Sequence, residues 1–288
     1  MKIGKVLLIG RPNVGKSTFV NNIIGQKVAI TSPKPQTTRF PIRAIYQESR
    51  GKIIFVDTPG IIGKTQDLIA RNINKQTLKV LNEQVDVVLY FIDPTRRRDF
   101  EEAKVLGLVR KIAKPKILVF NKTDIPNKPY LPQYEFLKEE FNHWFAISAL
   151  NSTHFKPLLN QIFTYLTDKK DNEADYNLIY PVLNIDSKIF IAELIREKIF
   201  LNTGEEVPYT TTVVVDEIIE RKADLTYIKA RILTTHDRYK KMLIGKDGQK
   251  IKDTGHRARK EIELALNKKI YLDLRVETDP HWQVNFYK

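Results

Sequence analysis

The sequence predicts an α/β unit built on a mostly parallel sheet, followed by a smaller α+β unit. Three observations carry this: short apolar runs alternate with amphipathic stretches up to about residue 166, a polar segment follows at 168–177, and the element order then changes. Parallel strands covered by helices on both faces read as continuous apolar runs. Residues 6–9, 53–56, 85–92, 117–120 and 145–147 fit that description, and 17–24, 68–81, 101–112 and 155–166 have helix length between them. In such a sheet, ligands are expected at the carboxyl ends of the strands.

Segment 168–177 has Ala174 and Tyr176 as its only apolar residues and reads as a linker, giving expected domains at 1–167 and 178–288. After it come a helix at 191–200, strands at 211–219 and 227–233, helices at 238–244 and 249–266, and a strand at 270–276. In the last strand Ile270, Leu272, Leu274 and Val276 alternate with Tyr271, Asp273 and Arg275, the pattern of a sheet with one covered face.

Composition narrows the function classes. The 288 residues are 42% hydrophobic and 28% charged, which excludes disorder of the whole chain. With no Cys, disulfides, thiolate metal sites, Cys nucleophiles and Cys-linked lipid anchors are all excluded. The apolar run near the N-terminus is too short for a signal peptide and none approaches a membrane span, so a cytoplasmic protein is expected. The net charge of +14 is uneven: residues 229–269 hold thirteen Lys+Arg against five Asp+Glu. A solvated face and a nucleic-acid surface are equally good readings of that block taken alone.

The first chemical signal is Gly10, Arg11, Pro12, Asn13, Val14, Gly15, Lys16 and Ser17, which follow the first apolar run and open the helix at 17–24, with Thr18 also expected at the nucleotide. This GxxxxGKS pattern cradles phosphates with backbone amides, brings Lys16 to the outer phosphates and offers the Ser17 hydroxyl to magnesium. Asp57, Thr58, Pro59 and Gly60 end the second long run, with Asp57 as a magnesium holder through water and Gly60 as a sensor of the terminal phosphate. Taken alone, that tetrapeptide is equally an ordinary turn. Asn121, Lys122 and Asp124 follow one strand, and Ser148, Ala149 and Leu150 follow the next. A carboxylate at Asp124 can accept from both N1 and N2 of guanine, with Asn121 and Lys122 bracing the pocket and the Ala149 amide donating to guanine O6. The bland alternatives are a helix cap and a loop. It is the order of all four motifs that points to a guanine nucleotide.

In that order the motifs resemble the Era-like family of translation-factor-related GTPases, and the likeness runs through both units. It implies a phosphate-loop GTPase domain that binds GTP or GDP with magnesium. It also implies a mobile segment, matched by Pro35, Gln36, Thr37, Thr38 and Arg39, in which Thr38 closes on magnesium and the terminal phosphate. The expected catalytic set is Lys16, Thr38, Gly60 and Asn13. Ile61 stands where many GTPases carry the Gln that orients water, so slow intrinsic hydrolysis is expected. In relatives, an Asn at the Asn13 position helps hold potassium; the alternative is a loop residue bonded to nearby backbone. Arg96, Arg97 and Arg98 read as a solvated loop or RNA-facing patch rather than a catalytic arginine.

In the second unit, Ile244, Gly245, Lys246, Asp247 and Gly248 form a GxxG loop between two helical segments, with Lys241, Lys250 and Lys252 close by. The element order resembles a type II KH domain, which holds about four single-stranded nucleotides in a groove. The resemblance implies binding near the 3′ end of small-subunit ribosomal RNA, as a monomer acting in small-subunit assembly. A nucleotide-gated RNA adaptor with negligible turnover is the alternative. Peripheral membrane association stays open on the charge of the first unit. Trp282 is read either as a base-stacking residue or as a packing anchor.

Overall fold

The computed structural model describes residues 1–35, 37–61, 68–81, 83–168, 187–204, 206–222 and 225–285. The chain divides into two compact units, Met1–Asn184 and Ile185–Lys288.

The first unit runs β1 (Lys2–Ile9), α1 (Lys16–Ile24), β2 (Ile42–Glu48), β3 (Gly51–Asp57), α2 (Leu68–Leu81), β4 (Val87–Ile92), α3 (Phe100–Lys111), β5 (Lys116–Phe120), α4 (Leu137–Glu140), β6 (His143–Ala146), α5 (Phe155–Tyr165) and β7 (Thr167–Asp168). Its sheet has the order β2-β3-β1-β4-β5-β6, with β7 also on β1. The pairings β2–β3 and β1–β7 are antiparallel; the others are parallel. Alternation along β1 feeds two cores. Val6 and Leu8 join Phe19 of α1 and Leu158 and Ile162 of α5. Leu7 and Ile9 join Val80 of α2 and Val105, Leu106 and Val109 of α3. Helices thus cover both faces, and the loops after β1, β3, β5 and β6 meet at one end of the sheet.

Two expectations shift here. Strand β2 was not expected, because Arg43 and Gln47 interrupt its apolar residues; it is stabilised as an edge paired to β3, from Ile42↔Asp57 to Glu48↔Gly51. Asp168, expected to begin the linker, pairs with Lys2 in β7. The rest of the expected linker, 169–177, and the expected start of the second domain at 178 lie outside the described residues.

The second unit runs α6 (Ser187–Asn202), β8 (Thr211–Lys222), β9 (Leu225–Thr234), α7 (Asp237–Ile244), α8 (Gln249–Leu266), β10 (Lys269–Thr278) and α9 (Trp282–Asn285). The sheet order is β10-β9-β8, with β9–β10 parallel and β8–β9 antiparallel. Helix α6 packs on β8, and α8 packs on β10. The inward alternation of β10 holds for Ile270 and Val276, which are buried. Leu272 and Leu274 are only half-buried, because a groove opens between them and α8. No helix of the described residues is long and apolar enough to cross a membrane.

Candidate functional site

The phosphate loop is shaped by steric necessity at its glycines. Gly15 has φ +96°, and a Cβ there would lie 2.2 Å from Asn121 Nδ2. Gly60 presses on the same loop: its Cβ would lie 2.4 Å from the Pro12 nitrogen. Lys16 is buried, and its ammonium donates to the carbonyls of Gly10 (3.2 Å) and Arg11 (3.0 Å). Burial pulls its pKa down to about 8 against the opposing pull of Asp57. Asp57 is fully buried, and burial pushes its carboxyl up to about 6 against the pull of Lys16 and the Ser17 hydrogen bond.

Two hydroxyls converge on the Asp57 carboxylate. The Ser17 hydroxyl donates to Asp57 Oδ2 at 2.5 Å and lies 3.0 Å from Thr38 Oγ1. Asp57 Oδ1 is buried with no hydrogen-bond partner among the described residues. A hard cation that keeps waters and binds phosphates needs one carboxylate and neutral oxygens, which suits magnesium. Among the described residues no cluster of three or more His, Cys, Asp or Glu could hold a metal by itself, so any ion here relies on hydroxyls and phosphate oxygens as well.

A cavity of about 380 Å³ runs from this point to the base-binding end, lined among others by Asn13, Lys16, Ser17, Thr18, Thr38, Gly60, Asn121, Lys122, Asp124, Ala149 and Leu150. Asn121 is its keystone: Nδ2 donates to the Val14 carbonyl (2.7 Å), and Oδ1 accepts from the Ala149 amide (2.8 Å). The Ala149 amide, expected to donate to guanine O6, is therefore already engaged. Lys122 is held 2.6 Å from Asp93 Oδ2. Ser148 Oγ donates to Asp124 Oδ1 at 2.5 Å, fixing the carboxylate while its other oxygen remains to accept. Gly10 and Val14 are not lining residues. Gly10 backs against the Phe91 carbonyl, and the Val14 side chain is in the core, leaving only its backbone to the loop. Gln36 lies outside the described residues, while Thr37 is tied to Ser32 and to the Lys34 carbonyl.

Sequence reasoning missed the support behind the loop. Arg11 is completely buried, 2.7 Å from both Asp99 and Glu102, and donates to the Tyr134 hydroxyl at 3.0 Å. Arg96 donates to the Pro12 carbonyl at 2.8 Å, and Arg98 lies over the Phe136 ring. Asn13 donates from Nδ2 to the Pro33 carbonyl at 2.6 Å. Ile61 is buried in the apolar cluster with Leu7, Ile9 and Val56, so it cannot orient water.

In the second unit the turn at Lys246–Gly248 separates α7 from α8. Gly245 (φ +73°) and Gly248 (φ +72°) shape it, and among the described residues nothing lies within 4 Å of where a Gly248 Cβ would be, so the loop's outer side is open to them. Lys241, Lys246 and Lys252 are exposed, Ile244 and Lys250 half-buried. Beyond the loop a groove of about 360 Å³ is lined by Ile251, Lys252, His256, Arg259, Leu272 and Leu274. His256 and Arg259 were not expected; their helical spacing from Lys252 was the available signal. Trp282 is buried and donates to the Thr210 carbonyl at 3.1 Å, which makes it a packing anchor and rules out base stacking.

Two family models match these units: one described as 50S ribosome-binding GTPase over residues 5–122, and one described as KH domain over residues 206–283. The GTPase Era of Halothermothrix orenii is 39% identical over 287 residues, 98% of this chain and 95% of that protein. The chain belongs to the Era GTPase family. A crystal structure of an Aquifex aeolicus Era variant bound to GDP·AlF4− is similar with TM-score 0.89 at 33% identity, covering 98% of this chain and 96% of that one. An Era in complex with MgGDPNP and nucleotides 1506–1542 of 16S ribosomal RNA is similar with TM-score 0.88 at 33% identity, covering 98% and 95%. As an Era-family member this chain binds GTP and GDP and hydrolyses GTP, through a phosphate-loop domain joined to a KH domain.

Proposed function

We propose that the chain is a slow GTPase whose KH unit grips the single-stranded 3′ region of small-subunit ribosomal RNA during assembly of that subunit. The observation that carries the nucleotide half is one cavity lined by the phosphate loop, Ser17, Thr38 and Asp124, with Asp57 buried behind the Ser17 hydroxyl that donates to it. Backbone amides of the Asn13–Ser17 turn bind the phosphates, Lys16 neutralises the outer ones, and Thr38 and Gly60 meet the terminal phosphate. Asp124 selects guanine by accepting from N1 and N2. Ser17, Thr38 and Asp57 would hold magnesium, which when bound offsets phosphate charge.

With Ile61 withdrawn into the core, no side chain directly after Gly60 positions the attacking water, and hydrolysis is slow. Asn13 supports a potassium requirement through its Oδ1, since Nδ2 is already given to Pro33. Equal single-turnover rates in potassium and sodium would remove that role. The RNA half rests on the open GxxG loop, its lysines and the groove beside α8, together with the ribosomal RNA bound by the related Era.

The test is RNA binding by the full chain with a GTP analogue, GDP or no nucleotide, alongside competition of ATP against GTP. Preference for single-stranded 3′ ribosomal RNA over duplex, and for GTP over ATP, is expected. ATP binding equal to GTP, or equal binding of duplex, overturns the reading.

A further inference from the structure

We propose that Thr77 of α2 is a positioning residue for GTP hydrolysis: its hydroxyl, by holding the Pro59 carbonyl, aims the Gly60 amide at the terminal phosphate. The proposal rests on the reading of Gly60 given above and names the side chain that keeps that amide in place. Thr77 Oγ1 lies 3.2 Å from the Pro59 carbonyl and 3.1 Å from the carbonyl of Ile73, one turn earlier in α2. Thr77 is fully buried, on the face of α2 that also buries Ile69, Ala70, Ile73 and Val80. Among the described residues of that helix, no other polar residue is buried.

Peptide geometry links the two groups. The bond between Pro59 and Gly60 is planar and, because its second residue is not proline, trans, so the Pro59 carbonyl and the Gly60 N–H point in opposite directions. A group that fixes one fixes the other. Gly60 lines the nucleotide cavity, and its amide has no hydrogen-bond partner among the described residues. The peptide plane is otherwise weakly held. Proline locks only its own φ, and glycine, required here because a Cβ would lie 2.4 Å from the Pro12 nitrogen, leaves rotation on the other side free. Before Pro59 the chain is pinned by Thr58, whose hydroxyl donates to the Leu8 carbonyl of β1 at 2.7 Å. Thr77 supplies the next hold, from a different element.

The hydroxyl has one proton and two acceptors in reach. The Ile73 carbonyl already has its ordinary partner in the helical ladder, the Thr77 amide, so the hydroxyl adds little there. The Pro59 carbonyl has no other partner among the described residues. Valine has nearly the shape and helix propensity of threonine and is easier to bury. The hydroxyl at position 77 is therefore explained by what it reaches outside its own helix. An amide preset in this way makes a charge-assisted hydrogen bond with a terminal phosphate, a group that GDP lacks.

The experiment measures, on the full-length protein with magnesium, the affinities for GDP and for the GTP analogue GDPNP by fluorescent-nucleotide competition, together with the single-turnover rate of GTP hydrolysis. Thr77→Val should weaken GDPNP about tenfold relative to GDP and slow hydrolysis by a similar factor, with GDP affinity unchanged. Thr77→Ala should give the same ratio should the valine variant fold poorly, and Thr77→Ser, which keeps the hydroxyl, should restore both readings. A loss shared equally by GDP and GDPNP would mean that Thr77 only supports the fold. A variant with the wild-type ratio and rate would mean that the Gly60 amide needs no such hold, and either result overturns the proposal. Competition by ATP tells the two levels apart. Wild-type protein that binds ATP as well as GTP fails the nucleotide reading and this proposal with it, whereas a guanine-selective wild type with an unshifted Thr77→Val ratio fails this proposal alone.

Discussion

The two ligand sites solve opposite problems. At the phosphate end of the nucleotide site the polar groups are buried and committed before any ligand arrives: Lys16 to two carbonyls, Arg11 to two carboxylates, Asn121 to loops on either side. At the KH groove Lys246, Lys252, His256 and Arg259 stand in solvent. A small triphosphate must be fixed in one geometry, so preorganisation matters most there. A flexible strand is held by many weak, screened contacts, each separately dispensable. Losses at the first site should therefore be steep and specific, and at the second graded and salt-dependent.

The sharpest way to break this contrast is at Lys16 and Asp124. Lys16→Ala should weaken GTP by at least about 100-fold, since charge-assisted hydrogen bonds in a buried site are the strong ones. Asp124→Ala should cost a similar factor and erase the preference over ATP. Both variants should leave RNA binding without nucleotide unchanged. Fluorescent-nucleotide titration with GTP and ATP competitors reads all of this, and a Lys16→Ala protein that still binds GTP within a few-fold of wild type would show that the buried ammonium is only structural.

These two residues were legible in the sequence because backbone geometry encodes them. A phosphate loop needs glycines at fixed offsets, and the Gly15 contact with Asn121 shows why no larger residue fits. What the sequence hid was long-range. Arg11 looks like a free loop position, yet its partners Asp99, Glu102 and Tyr134 come from α3 and the turn before α4, some 90 to 120 residues away. Strand β2 lacked a continuous apolar run because it is an edge strand whose exposed side tolerates polar residues. Trp282 offered two readings, and only the carbonyl of Thr210 decided between them. His256 and Arg259 became meaningful once α8 was seen to lay that face along β10.

An intermediate effect is expected at the GxxG loop. Gly248→Asp should lower RNA affinity about 100-fold, because a carboxylate at φ +72° would sit in the open space a phosphate must enter. GTP hydrolysis should be spared. Lys246→Ala and Lys250→Ala should each cost less, about tenfold, and each should flatten the dependence of log affinity on log salt by about 0.7. Binding isotherms at three salt concentrations check this, and an unchanged slope would mean these lysines do not meet phosphates.

The smallest effect is expected away from both ligands, in the sheet that carries the groove. Asp216 of β8 accepts from Arg231 Nε (2.9 Å) and Nη2 (2.8 Å). Those hydrogen bonds hold its carboxyl below the usual 3.8, with burial acting the other way. A depressed folded pKa stabilises the charged form, so the stabilisation is present above the unfolded value and is lost as pH falls through the folded one. Asp216→Asn should therefore cost stability at neutral pH, and the variant and wild type should converge as the solution is acidified below 3.8. Arg231 is about a third exposed and also pairs with Glu277 at 3.0 Å, so solvent screening and the second partner keep the cost to at most about 1 kcal/mol. Amide hydrogen exchange in β8 and β9 at neutral and acid pH measures it locally, without requiring the two units to unfold together. A variant less protected than wild type by the same amount at both pH values would mean that Asp216 contributes packing rather than charge.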